Sequence, residues 1–190
     1  MTSPMRPPSR QGTPALAPGR ADLAAPRLRD ASASDAEQVA RIWNRMIRQT
    51  LATFTSTLKT PASVRDLMAA RLADGHGFIV AADPTSPAAI LGFATYGQFR
   101  GGVGYARTLE HSVVLDEGAQ GKGLGRALMQ RLEDHARAGG GHSMMAGVSA
   151  ENPSGLRFHA AIGYAEVARL RDVGFKRGRY LDLVLMQKML

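Results

Sequence analysis

The stretch of this chain that decides the fold is Gln120-Gly121-Lys122-Gly123-Leu124-Gly125. It lies between an apolar run that predicts a strand, Thr108 to Leu115, and a periodic apolar segment that predicts a helix. At such a junction, free backbone N–H groups and the helix dipole form a site for phosphate, and glycine lets the backbone approach the anion closely. A flexible strand-to-helix connection remains the alternative, because a glycine-rich turn alone is weak evidence.

The sequence of this turn does not match the motifs of two common nucleotide-binding sites. A P-loop needs Ser or Thr after the lysine and Gly five residues before Gly121, whereas the sequence has Gly123 and Asp116 there. A dinucleotide-binding turn needs a third glycine at the position of Arg126. The pattern that remains is Gln-x-x-Gly-x-Gly.

Strand and helix patterns flank the turn on both sides. On its N-terminal side they predict a strand at Arg27 to Ala31, helices from about Ser34 and from about Thr60 to Gly75, and strands at Gly77 to Ala82, Ile90 to Tyr96 and Thr108 to Leu115. On its C-terminal side they predict a helix ending at Gly139, a strand at Met144 to Val148, a helix at Pro153 to Ile162, and strands at Glu166 to Val173 and Leu181 to Met189. The helix from Thr60 is expected to bury Val64, Leu67, Met68 and Leu72. This order predicts an α/β fold, a mixed sheet of about seven strands with helices on both faces.

Composition limits the class of protein. The chain has 190 residues, 44% hydrophobic and 21% charged, which favours one globular domain. Residues Met1 to Pro26 are rich in Pro, Ala, Arg and Ser without an apolar pattern, so we expect a disordered tail, residues 1–26, before a domain at 27–190. No apolar run approaches the roughly 20 residues of a membrane span and no secretory signal is evident, which predicts a cytoplasmic protein that does not enter the membrane.

The absence of cysteine excludes a disulfide framework, a thiolate metal site and a cysteine nucleophile, and we expect no metal. The formal net charge of +8 permits a nucleic-acid partner. However, the basic residues are spread along the chain and aromatic residues are only 6%, so we expect none. A groove for a small polyanion, or a solvated surface, explains the charge equally well.

At Gln120 to Gly125 the sequence resembles the GNAT acetyltransferases, whose pyrophosphate-binding turn has the form Gln-x-x-Gly-x-Gly. A second signature on the next helix fits the same family, and it consists of Asn152, Gly155, Phe158, His159, Gly163 and Tyr164. The resemblance spans roughly Arg27 to Leu190. It implies the GNAT acyl-CoA N-acyltransferase fold, with acetyl-CoA as the co-substrate.

Within the family, Thr108 to Val113, Phe99-Arg100 and Gly174 to Asp182 look like the phosphinothricin and methionine sulfoximine (or sulfone) N-acetyltransferases. The resemblance implies an amino-acid pocket lined by Arg100, Gly101, Gly102, Glu110, His111 and Ser112. It implies acetyl-CoA contacts at Val113, Val114, Leu115, Gln120, Gly121, Lys122, Gly123, Leu124, Gly125, Arg126, Asn152 and Ala161. Gly102 stands where some relatives have an aromatic residue, which leaves the exact substrate open. Relatives are commonly dimers, so a homodimer is expected.

The chemistry of acetyl transfer suggests roles for four features. A free α-amino group is largely protonated at neutral pH, so a base is needed, and Glu110 is the candidate. A strand N–H near Val113 to Leu115 can stabilise the oxyanion, and His159 can return a proton to the thiolate. Arg100 can bind a substrate carboxylate.

Each of these residues also has a simpler explanation. Glu110 is otherwise a surface or salt-bridged carboxylate, Arg100 a solvated arginine, and His159 a structural histidine. Asn152, just before Pro153, is a natural helix N-cap.

Two other functions stay open at the sequence level. The same fold can acetylate a protein N-terminus or a polyamine, because fold and cofactor do not fix the acceptor. From another class, the chain can be a non-catalytic module that binds acetyl-CoA or nucleic acid.

Overall fold

The computed structural model of the protein describes residues 27–86 and 88–190, and the predicted tail at 1–26 lies outside them. The described elements are β1 (Arg27–Asp30), α1 (Ala36–Gln49), α2 (Pro61–Ala73), β2 (Phe78–Ala82), β3 (Ile90–Gln98), β4 (Thr108–Leu115), α3 (Leu124–Ala138), β5 (Ser143–Ser149), α4 (Pro153–Ala161), β6 (Ala165–Lys176) and β7 (Arg179–Met189). This is the order predicted from the sequence. Within residues 27–86 and 88–190, no helix is both long and apolar enough to cross a membrane.

The seven strands form one mixed sheet in the order β1-β2-β3-β4-β5-β7-β6. All neighbouring strands are antiparallel except β4 and β5, which are parallel. The β4–β5 ladder joins only Thr108 to Ser143, Leu109 to Met144 and Glu110 to Met145, although both strands continue beyond these pairs. The sheet therefore opens between β4 and β5 immediately after Glu110.

Helices cover both faces of the sheet, as predicted. On one face, α1 and α2 bury Val39, Ile42 and Val64 against Phe93 and other residues of β2 to β4. On the other face, α3 buries Leu128 and Leu132 and α4 adds partly buried side chains. Helices α1 and α3 follow the 3.6-residue period of their apolar stripes, which is why the sequence located them correctly.

One prediction about α2 is wrong. Leu72 was expected in the core, yet it is 80% exposed, whereas Val64 and Met68 are buried. The side chain that faces the sheet at the last turn of α2 is Arg71, whose guanidinium packs over the backbone of Gly97 in β3. Because Gly97 has no side chain, a long polar residue fits where a leucine was expected.

Candidate active site

The opening between β4 and β5 leaves backbone N–H groups of β4 without a strand partner. The N–H of Phe99 donates to the carbonyl of Thr108. Because hydrogen-bonded positions alternate along an antiparallel ladder, even-numbered residues of β4 bond to β3 and odd-numbered ones turn towards β5. Val113 and Leu115 lie beyond the last β4–β5 pair, so their N–H groups face the opening.

The glycine-rich turn adjoins this opening and leads directly into α3. Gly121 and Gly123 have φ of +72° and +78°, a backbone region that favours glycine, and Gly123 is the N-cap of α3. The N–H groups of the first turn of α3 have no intrahelical acceptor and lie at the positive end of the helix dipole. A side chain at Gly125 would lie 3.2 Å from the Phe158 ring, so glycine there allows α3 and α4 to approach closely.

A cleft of about 650 Å³ connects the opening with the turn. Its walls include many of the residues expected to contact acetyl-CoA, namely Val113, Val114, Leu115, Gln120, Gly121, Gly125 and Asn152, together with His159. Other expected contacts, Lys122, Gly123, Leu124, Arg126 and Ala161, do not line it. The guanidinium of Arg126 instead donates to the carbonyl of Ala161 at 3.0 Å, which ties α3 to the end of α4.

Asn152 caps helix α4 and lies on the wall of the cleft. Its Oδ1 accepts hydrogen bonds from the backbone N–H of Gly155 at 3.0 Å and from the hydroxyl of Ser154 at 2.9 Å, so it caps α4. Its side chain also borders the cleft. The cap fixes the orientation of the amide, and this leaves Nδ2 available to a ligand.

Glu110 occupies the position where the two strands separate. Residues two apart on a strand lie on the same face of the sheet. The Glu110 carboxylate extends over β5, and its Oε1 is 3.1 Å from the position that a Cβ of Gly147 would occupy. Burial raises the pKa of Glu110 above its usual 4.5, and the charge of Arg100 partly offsets this rise. The carboxylate is thus half-buried, close to a cation, and better able to hold a proton than an exposed glutamate.

His111 and His159 form a buried pair beneath the cleft. Their Nε2 atoms are 3.0 Å apart, and Nδ1 of His159 is 2.7 Å from the carbonyl of Gly155. A carbonyl only accepts, so His159 carries its proton on Nδ1 and its Nε2 accepts from His111. Burial lowers the pKa of His111 to about 3 and also lowers the pKa of His159, so the pair is neutral at pH 7.

The Arg100-Gly101-Gly102 segment lies away from the cleft. These three residues border a second cavity of about 580 Å³, at the end of the sheet where β3 ends and β4 begins. The amide of Gln98 donates to the carbonyls of Arg100 and Gly102, the latter at 2.6 Å, and so holds the segment in place. Gly102 has φ of +96°, which explains a glycine at this position.

Comparison with known proteins places this geometry in a family. The model of the Acetyltransferase (GNAT) family matches residues 43–164. The chain belongs to the GNAT family. It is 35% identical over 160 residues, 84% of this chain and 92% of the relative, to the L-methionine sulfoximine/L-methionine sulfone acetyltransferase of Pseudomonas paraeruginosa. It is 31% identical to the phosphinothricin N-acetyltransferase of Streptomyces coelicolor, covering 90% of this chain and 98% of that one.

Solved structures agree with this assignment. An acetyltransferase from Salmonella typhimurium, solved with its cofactor acetyl-CoA, has a TM-score of 0.83 and 33% identity, covering 88% of this chain and 95% of that one. The GNAT fold predicted from the sequence is confirmed. The protein is an acetyl-CoA-dependent N-acetyltransferase.

Membership of the GNAT family does not settle the role of each predicted residue. His111 was expected in the amino-acid pocket, but its side chain is 7% exposed and bonded to His159. The side chains of Glu110 and Ser112 lie on the opposite face of β4, because successive residues of a strand alternate. In the neutral pair, His159 has no N–H directed at the cleft, which argues against the predicted role as an acid.

The sequence analysis missed several residues of this GNAT cleft. Arg45 from α1 borders it and forms an ion pair with Asp116, which also accepts from Arg41 at 3.1 Å. The Thr50-Leu51-Ala52 segment after α1 also forms part of the walls. Arg45 and Asp116 are far apart in the chain, so only the helical spacing of Arg41 and Arg45 on one face hinted at a shared partner. Among residues 27–86 and 88–190 there is no group of three His, Cys, Asp or Glu that could hold a metal ion.

Proposed function

We propose that the enzyme transfers the acetyl group of acetyl-CoA directly to the α-amino group of a small amino-acid-like acceptor of the phosphinothricin, methionine sulfoximine or methionine sulfone type. The observation that carries the proposal is the position of Glu110. Its half-buried carboxylate lies at the point where β4 and β5 separate, on the same strand as the N–H groups of Val113 and Leu115, and near Arg100. The names of the relatives described above support the class of acceptor.

The proposed chemistry uses the residues of the chain as a base and as donors. Glu110 takes a proton from the acceptor ammonium, directly or through one water, and so produces the neutral amine. The N–H groups of Val113 and Leu115 then donate to the thioester carbonyl oxygen as negative charge develops on it. A C–N bond forms, the C–S bond breaks, and the nitrogen releases its second proton to solvent, which leaves a neutral amide. The chain contains no cysteine, which is consistent with transfer that passes through no thioester on the enzyme.

The other predicted residues serve binding in this proposal. The N–H groups of the glycine-rich turn and the amide of Asn152 hold acetyl-CoA in the cleft, while Arg100 and its segment form part of the acceptor pocket. His111 and His159 support the wall between the acetyl-CoA cleft and the acceptor pocket. Solvent supplies the proton to the leaving thiolate.

The experiment that tests the function is a thiol-release assay with a panel of acceptors. The panel contains methionine sulfone, methionine sulfoximine, phosphinothricin, ordinary methionine, a polyamine and a short peptide. We expect the highest kcat/KM with one of the first three. Preference for the peptide or the polyamine would support the other acceptor classes, and no thiol release with any amine would support a non-catalytic binding module.

Acetyl-CoA should stabilise the folded protein, whereas NADH should not. A ligand that binds only the folded state at about 100 times its Kd adds roughly 2.7 kcal/mol to the free energy of unfolding. For a domain of this size that corresponds to a rise in Tm of roughly 5 to 10 °C. Differential scanning fluorimetry with each nucleotide gives the comparison, and protection by NADH without protection by acetyl-CoA would contradict the assignment of the Gln120 to Gly125 turn.

A homodimer is also part of the proposal, and the edge of the sheet supports it. Strand β6 is the last in the sheet, and its outer edge has no strand partner in the described part of the chain. Large apolar side chains on β6 and β7 are exposed there, among them Val173, Phe175 at 58% and Tyr180 at 66%. An edge strand of this kind pairs readily with another chain, and a second copy is the expected partner.

Phe175→Glu should therefore convert a dimer into a monomer. The substitution puts a charge on the exposed apolar edge, which raises the cost of burying that surface against a second copy. Size-exclusion chromatography with light scattering measures the mass of both proteins. Leu72→Glu is the matched control, because Leu72 is exposed on the distant helix α2. A wild-type protein that is monomeric at high concentration would rule out the homodimer.

A further inference from the structure

A second arginine, Arg71, covers the position of β3 that lies opposite Glu110 in the sheet. Gly97 is directly opposite Glu110 in the β3–β4 ladder. Opposite residues of an antiparallel ladder project to the same face, so the Glu110 side chain leaves β4 on the face that Arg71 covers. The guanidinium of Arg71, from the last turn of α2, fills the space above Gly97: a Cβ at Gly97 would lie 2.5 Å from its Cζ and 2.7 Å from Nη2. Gly97 is thus required for Arg71 to lie there.

Arg71 lacks the partners that a structural arginine has. Its Nε is shielded from solvent and forms no hydrogen bond within residues 27–86 and 88–190, and no carboxylate of that part of the chain pairs with it. By contrast, Arg29, Arg45, Arg131 and Arg137 each pair with an acidic side chain. A buried donor without an acceptor destabilises the folded state, so an arginine held in this way is suited to bind a ligand.

The charge around Arg71 favours an anion. Arg71 and Arg100 border the same cavity of about 580 Å³, and Asp74 is the only acidic residue on its walls, where it is exposed. Nδ1 of His76, in the same walls, is also buried without a hydrogen bond, and Oδ2 of Asp74 lies 3.9 Å from it. The planar guanidinium matches a carboxylate, which can accept two parallel hydrogen bonds from it.

We propose that Arg71, held over Gly97, binds the α-carboxylate of the acceptor together with Arg100, while Glu110 on the same face receives the proton from the α-amino group. The inference rests on the function proposed above and adds the basis of its specificity. A guanidinium on one side of the acceptor and a carboxylate on the other match the two charges of a free amino acid. A polyamine has no carboxylate, and a peptide N-terminus has none next to its amino group, so both are poorer acceptors.

The test compares an acceptor that has the carboxylate with one that lacks it. Thiol release is measured with L-methionine sulfone and with its carboxamide, for wild type, Arg71→Met and Arg65→Met. Arg65 is an exposed arginine on the same helix with no bonded partner in the described chain, so its substitution makes the same change in charge elsewhere. We expect Arg71→Met to lower kcat/KM for the acid by about 10- to 100-fold and for the carboxamide by less than about twofold, because a hydrogen-bonded ion pair is lost only with the acid. Arg65→Met should leave both acceptors unchanged, and the KM for acetyl-CoA should not change in either variant.

Two further variants separate loss of binding from loss of folding. Gly97→Ala puts a methyl group where the guanidinium packs, so it should displace Arg71 and lower kcat/KM for the acid alone. Arg71→Lys keeps the charge without the planar fork and should retain part of the preference for the acid. Equal losses with the acid and the carboxamide in Arg71→Met, or an unchanged preference for the acid, would overturn the role of Arg71 while leaving the proposed function intact. Failure of the wild type to acetylate any amino acid would overturn both.

Discussion

Glu110→Gln should lower kcat by about 10²–10⁴-fold, the range in which general bases contribute. Glutamine keeps the shape of the side chain but cannot accept the proton from the acceptor ammonium. Binding of acetyl-CoA should persist, because the carboxylate does not line the donor cleft. The measurement is steady-state turnover at neutral pH, with Glu37→Gln as the control, since Glu37 is exposed on α1 without a bonded partner in the described residues.

The pH dependence of the variant gives a second readout. In the wild type, activity should fall as the pH drops through the pKa of Glu110, which burial places above 4.5. In Glu110→Gln, turnover should instead recover as the pH rises towards about 8, because the α-amino group then loses its proton without help. Turnover in the variant close to that of the wild type at neutral pH would remove Glu110 from the mechanism.

Thermal stability distinguishes this role from a structural one. The folded-state pKa of Glu110 is raised, so its contribution to stability is present at low pH and is lost as the pH rises through that pKa. At neutral pH the ionised carboxylate is therefore a cost to the folded state. Glu110→Gln should leave the Tm unchanged or raise it, whereas loss of a bonded structural carboxylate would lower it.

Lys176→Met should destabilise the protein more than any other single substitution proposed for this chain. Lys176, near the end of β6, is 4% exposed, and its Nζ donates to the carbonyls of Ile47, Thr50 and Thr53 at 2.8, 3.0 and 2.8 Å. The ammonium thus binds the C-terminus of α1 and the segment after it, where carbonyls lack intrahelical donors. Each hydrogen bond to a charged group contributes about 1.5–3 kcal/mol, but shared geometry and water access make the sum smaller, so we expect a loss of about 2–4 kcal/mol.

Urea denaturation of Lys176→Met checks this value. Lys122→Met is the control, because Lys122 is exposed with no bonded partner in the described chain and should change the free energy of unfolding by less than about 0.5 kcal/mol. The KM for acetyl-CoA should also rise in Lys176→Met, since Thr50, Leu51 and Ala52 form part of the cleft wall. If the urea midpoint of the variant equalled that of the wild type, water would have to satisfy the three carbonyls as well as the lysine does, and the predicted loss of stability would be wrong.

The features that the sequence predicted correctly depend on local patterns. The order of the strands and helices follows from the periodicity of apolar residues, and the turn at Gln120 to Gly125 follows from glycines that need positive φ. The cap at Asn152 was visible because Pro153 follows it. Each of these depends on residues within a few positions of one another.

The features that the sequence did not reveal depend on pairs that are distant along the chain. Leu72 was placed in the core because it continues an apolar stripe, and only the absence of a side chain at Gly97 lets Arg71 take that position. The pairing of His111 with His159 crosses from β4 to α4. Similarly, the three carbonyls around Lys176 come together only when the β6–β7 hairpin folds against α1.

The early end of the β4–β5 ladder also has a mechanical consequence. Strands β1 to β4 with α1 and α2 form one half of the molecule, and β5 to β7 with α4 form the other. The ladder between β4 and β5 contains only three residue pairs, while Lys176, the His111–His159 pair and the packing of helix α3 join the halves elsewhere. A donor molecule lying in the opening would touch β4 on one side and α4 on the other, and would add contacts between the two halves where the ladder is absent.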